Sequence, residues 1–106
     1  MGATSISLAH LAKDLTTTPF FHELVTEALA QRDWSRADLS RHSGIDEGTL
    51  SRLLGTSSAP TRRPRIQHVA AVANAFADGR KPVAAWLEEL NRSATKTLME
   101  WDQLAA

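Results

Sequence analysis

The 106-residue chain contains no cysteine. Disulfides and thiolate metal sites are therefore ruled out, and the chain suits a reducing compartment. No apolar run approaches the roughly 20 residues that a bilayer-spanning helix needs. The N-terminus has no basic stretch followed by an apolar block, so neither a membrane segment nor a signal peptide is expected. Glycine is scarce, at five residues, and none of them builds a glycine-rich phosphate loop. The histidines, His10, His22, His42 and His68, are scattered, without the His-Glu-x-x-His spacing of a zinc hydrolase. No serine or carboxylate pair has a recognisable catalytic arrangement. No catalytic residue, metal site or cofactor is expected, which sets aside an enzyme as the contrasting class. A net charge is lacking too, since twelve basic side chains balance twelve acidic ones.

The distribution of charge says more than its sum. From Arg32 to Arg65 there are seven arginines (32, 36, 41, 52, 62, 63, 65) against four acids (33, 38, 46, 47). The first 30 residues set Lys13 against Asp14, Glu23 and Glu27, and the chain from Pro82 sets Arg92 and Lys96 against Glu88, Glu89, Glu100 and Asp102. The middle is basic and both ends are acidic, and a local patch governs the field at a polyanion more than the total does. Arginine outnumbers lysine nine to three, which suits bidentate contacts to phosphate and guanine and equally suits a high-GC genome. The length fits one domain with a real core.

Residues 34–54 carry the densest local signals. Ser35 and Asp38 have the spacing of a reciprocal N-terminal capping box, with Trp34 and Leu39 spaced as a hydrophobic staple. Gly44 suits the left-handed conformation that ends a helix. Asp46 can cap a second helix with Leu50, Leu53 and Leu54 on one face. Two short helices joined so tightly make a helix-turn-helix.

Through Leu39, Ser40, Gly44, Ile45, Thr49, Leu50, Ser51, Arg52 and Leu53, the stretch resembles the helix-turn-helix of the Cro and phage-repressor (XRE) family. Ser40 stands where the family usually has alanine, and Glu47 and Gly48 depart from the pattern on the reading helix. With the flanking helices, the resemblance covers about 20–90. It implies an all-α, lambda-repressor-like DNA-binding domain of about five core helices, with a short N-terminal helix and a C-terminal helical extension. It also implies a double-stranded DNA partner with a palindromic operator, a homodimer, and a place in the cytoplasm of a bacterial or phage-infected cell. By motif position, Asp46, Glu47, Gly48, Ser51 and Arg52 face outward. Base contacts are expected from Glu47, Gly48, Ser51 and Arg52, and phosphate contacts from Arg36, Thr49, Arg62, Arg63 and Arg65. Small XRE-type domains also serve as antitoxins, so a protein partner at the termini is the alternative.

The rest of the chain divides accordingly. Residues 1–18 read as an extension with a weak helical stripe over about 5–15 and a threonine linker. Residues 19–91 read as the DNA-binding domain, with Thr18 capping a helix that starts at Pro19. Phe21, Leu24, Val25, Ala28 and Leu29 form its buried stripe. Arg41 and His42 are expected to meet only solvent. The loop 55–65 is longer than usual in the family and is tipped by Arg62 and Arg63. The next helix, about 65–77, turns Ile66, Val69, Ala70, Val72, Ala73 and Phe76 inward. Pro82 opens another, with Val83, Trp86, Leu87 and Leu90 in phase. Residues 92–106 continue that helix or form a second one broken near Asn91-Arg92-Ser93. Their apolar residues Leu98, Met99, Trp101 and Leu104 either fold back on the core or pair with a second subunit.

Overall fold

The computed structural model describes residues 17–56 and 59–105, with residues 104 and 105 described by their backbone only. The helix expected over 5–15 lies outside the described residues. Among these, five α-helices and no strand are found: α1 (Phe21–Arg32), α2 (Arg36–Ser43), α3 (Glu47–Leu54), α4 (Ile66–Phe76) and α5 (Val83–Ala105).

Local chemistry fixes the ends of α2 and α3. The Ser35 hydroxyl accepts the Asp38 N–H at 3.1 Å, and Asp38 accepts the Ser35 N–H at 2.8 Å. Gly44, at φ 79°, ends α2 and donates its N–H to the Ser40 carbonyl. Asp46 accepts the Thr49 N–H at 3.0 Å and so opens α3. Each of these bonds satisfies a backbone group that a short helix leaves without an intrahelical partner.

α1 begins later than its proline suggests. Phe20, not Thr18, is the cap residue, and Phe21 is the first helical one. Two bonds mark this start, one local and one long-range. Glu23 takes the Phe20 N–H at 2.8 Å, while the Thr97 hydroxyl, from α5, takes the Phe21 N–H at 2.9 Å. At the other end Asp33 adopts the left-handed conformation, φ 57°, with its N–H turned back to Leu29 and Ala30.

The core forms where the inner faces meet. Phe21, Val25 and Leu29 of α1 join Leu39, Ile45, Leu50, Leu53 and Leu54 of the two middle helices and their turn. Val69, Val72, Ala73 and Phe76 of α4 and Trp86, Leu90 and Ala94 of α5 close it. α5 packs most extensively on α4 and then on α1. Ile66 departs from expectation. It is 80% exposed, because no element of the described chain lies opposite its side of the first turn of α4, whereas His68 and Val69 on the other side are buried.

α5 is one unbroken helix, so the break near residues 91–93 does not occur and the boundary set at 91/92 falls inside a helix. Ser93, Ala94 and Thr97 are buried beyond that boundary. The Lys96 ammonium donates to the Thr18 carbonyl at 2.6 Å and stands 4.6 Å from the Phe20 ring centre. The tail is therefore folded back on its own core at least through Thr97.

Arg32 ties the C-terminal ends of α1 and α4 to α5. Its guanidinium lies 4.7 Å from the Phe76 ring, 5.2 Å from Trp86 and 5.7 Å from Trp34. It donates to the Phe76 carbonyl and pairs with Asp78 at 3.8 Å. A cation surrounded by ring faces in this way is held by their quadrupoles, so one arginine of the basic segment serves the scaffold.

Candidate nucleic-acid interface

The inner face of α3 is fixed by Leu50, Leu53 and Leu54, all buried. Helical phase then turns Glu47, Gly48 and Arg52 to solvent, with Ser51 half-buried beside them. Asp46, at the head of the helix, is exposed but occupied. One carboxylate oxygen accepts the Thr49 hydroxyl at 2.6 Å and the other accepts the Thr49 N–H at 3.0 Å. These two bonds, and then the nearby charge of Arg52, hold the Asp46 carboxyl below its ordinary pKa.

Thr49, expected at a phosphate, is engaged by its own cap. It is 9% exposed, and its single hydroxyl proton is given to Asp46. Arg36 occupies the first turn of α2, half-buried, with one guanidinium nitrogen enclosed and without a hydrogen-bond partner. Ser35 spends its hydroxyl on the Asp38 N–H, which leaves the earlier amides of α2 without a side-chain acceptor.

The loop after α3 folds back onto the helix. The N–H groups of Thr61 and Arg62 both donate to the Arg52 carbonyl, at 2.9 and 3.2 Å. This anchors the arginine cluster beside the end of α3. The three arginines then diverge. Arg65 is exposed, and its N–H is held by His68 Nδ1 at 3.1 Å. Arg62 is half-buried. Arg63 reaches α5, with its guanidinium 3.5 Å from the Asp102 carboxylate and 5.5 Å from the Trp101 ring centre.

His68 is 6% exposed. Burial lowers its pKa, and the charges of Arg62 and Arg65 lower it further. The neutral ring is the form that can accept at Nδ1. Arg36, Arg52, Arg62 and Arg65 form no ion pair with the described residues, whereas Arg32, Arg41 and Arg63 do. Arg41 pairs with Asp38, and His42 stacks on Trp34 at 4.4 Å, so neither meets solvent alone.

Of the tail residues expected at a subunit contact, Leu98 is half-buried and Trp101 is partly covered by Arg63. Met99 is 49% exposed. The Leu104 side chain lies outside the described residues. Sequence reasoning missed the contact of Arg63 with Trp101 and Asp102, whose partners lie on elements far apart in the chain. It also missed the enclosure of Arg32.

A short capped helix, a glycine turn, an outward-facing second helix and a basic loop at its end define a helix-turn-helix DNA-binding module. The family model of the Cro/C1-type HTH DNA-binding domain matches residues 25–77, and the chain belongs to that family. No curated protein and no solved structure matched. No helix among the described residues is long and apolar enough to cross a membrane.

Proposed function

We propose that the protein is a sequence-specific transcriptional repressor that binds a palindromic double-stranded operator as a homodimer. In this reading α3 enters the major groove with its N-terminal half towards the base edges. Arg52 donates two bonds to guanine O6 and N7, Glu47 accepts from cytosine N4, and the Ser51 hydroxyl adds a further base contact. Gly48 lets the backbone approach. Arg36 and Arg65 neutralise phosphates on either side of the groove, joined by Arg62 and, once it leaves Asp102, Arg63.

The observation that carries the proposal is the outward face of α3. Arg52 stands there exposed and without an ion pair among the described residues, while the loop is fastened beside it through the Arg52 carbonyl. Such a surface answers a polyanion next to a base edge. Residues 19–91 supply this surface, and residues 92–106 supply the subunit contact, centred on the exposed Met99 with Leu98, Trp101 and Leu104. Two-fold symmetry then sets two copies of α3 about one DNA turn apart.

Selection from a random duplex library, read together with the stoichiometry of the complex, tests this. A palindromic site with two subunits per duplex is the expected result. A site bound by one subunit removes the dimer. No enriched site at low salt removes the repressor reading in favour of an antitoxin-like module that binds protein through its termini.

A further inference from the structure

We infer that Asp46 is a positioning residue for Arg52, and that residue 48 is a glycine so that the two side chains can face each other across the bare outer backbone of α3. The inference rests on the reading of Arg52 as a base contact.

Gly48 invites an explanation. It lies inside a helix with no positive φ, so the backbone does not require glycine there. Glycine is also the poorest helix former apart from proline. What its missing side chain leaves is space between two charges. A Cβ at this position would lie 3.1 Å from Asp46 Oδ2 and 3.8 Å from Arg52 Nη2. The carboxylate and the guanidinium therefore both lie within 4 Å of the space that a side chain at residue 48 would fill, without closing to ion-pair distance.

Arg52 has reached back towards the helix N-terminus to do this. The partial positive charge of that terminus opposes a cation there, and the Asp46 carboxylate offsets the repulsion. The carboxylate is itself immobilised, because both of its oxygens are bonded to Thr49. No ion pair holds Arg52 elsewhere among the described residues. The result is a guanidinium preset over the part of α3 that meets base edges, which lowers the ordering cost on binding. The negative charge of Asp46 has an opposite effect on the phosphate backbone, so it raises discrimination while lowering affinity for DNA of any sequence.

The test is Asp46→Asn, since asparagine caps a helix as well as aspartate. Asp46→Ser serves as a second capped variant without the carboxylate. On the duplex selected by the wild type, Arg52→Ala identifies the base pair that Arg52 reads. Asp46→Asn should lose preference on the order of tenfold at that same base pair. Its affinity for non-specific duplex should be equal or higher, and its melting temperature unchanged. The double variant with Arg52→Ala should lose no more than Arg52→Ala alone, which a mere cap would not produce. Gly48→Ala, crowding Asp46, should weaken the same preference without lowering the melting temperature. Full retention of that preference in Asp46→Asn and Asp46→Ser, or losses that add to those of Arg52→Ala, would overturn the inference and leave the function standing. If Arg52→Ala altered no base preference, the assignment of Arg52 as a reader would fall, and the inference with it.

Discussion

Removing the loop arginines one at a time should separate them into two kinds. Arg65 is exposed and carries no ion pair among the described residues. If it neutralises one phosphate, Arg65→Ala makes the slope of log K against log salt shallower by about 0.9. Between about 50 and about 200 mM salt, a change of about 0.6 in the logarithm, the wild type should then lose about 3.5-fold more affinity than the variant. Arg63 differs because its guanidinium is already 3.5 Å from Asp102 and lies over Trp101. A phosphate must displace or share that carboxylate, so Arg63→Ala should change the slope less than Arg65→Ala does. Asp102→Asn, which releases Arg63, should steepen it, by up to about 0.9 for one further phosphate. Fluorescence anisotropy of a labelled duplex over a salt series measures all three variants. A slope unchanged in Arg65→Ala, or a shallower one in Asp102→Asn, would refute the reasoning.

Further outcomes follow from the packing. Leu50, at 1% exposure, joins the reading helix to the core, and Leu50→Ala should cost about 2–5 kcal/mol in urea denaturation. A loss well under that range would mean that α3 is not seated as described. Thr97→Val keeps the shape but deprives the buried Phe21 N–H of its acceptor, which should cost about 1–3 kcal/mol. An unchanged stability would show that the tail is not docked on α1. His68 sets a pH dependence. Its folded pKa lies below the ordinary 6.5, so the unfolded chain binds the proton more readily. The stabilisation is whole above about pH 6.5 and declines as pH falls through the folded pKa, where protonation also breaks the bond to the Arg65 N–H. A His68→Asn variant should lack this part of the acid loss, as followed by melting temperature against pH.

The helix-turn-helix was legible because its determinants are local. Ser35 with Asp38, Gly44, and Asp46 with Thr49 each act within four residues, and Leu50, Leu53 and Leu54 set the phase that turns Glu47, Gly48 and Arg52 outward. The features that escaped are made by residues distant in sequence. Thr97 takes the Phe21 N–H at the start of α1, Trp86 and Phe76 enclose Arg32, and Asp102 occupies Arg63. Periodicity also misplaced Ile66, since phase tells which way a residue points but not whether another element lies opposite. Phase likewise does not tell that the hydroxyl of Thr49 is already given to the Asp46 cap.

The most direct test of the central claim is to map the amide chemical shifts of the protein as duplex DNA is added at low salt. If α3 is the reading element, the largest changes should fall on residues 46–52, on the first turn of α2 at Arg36, and on 61–66. Changes confined to the α1 and α5 surfaces, with 46–52 unmoved, would contradict the account.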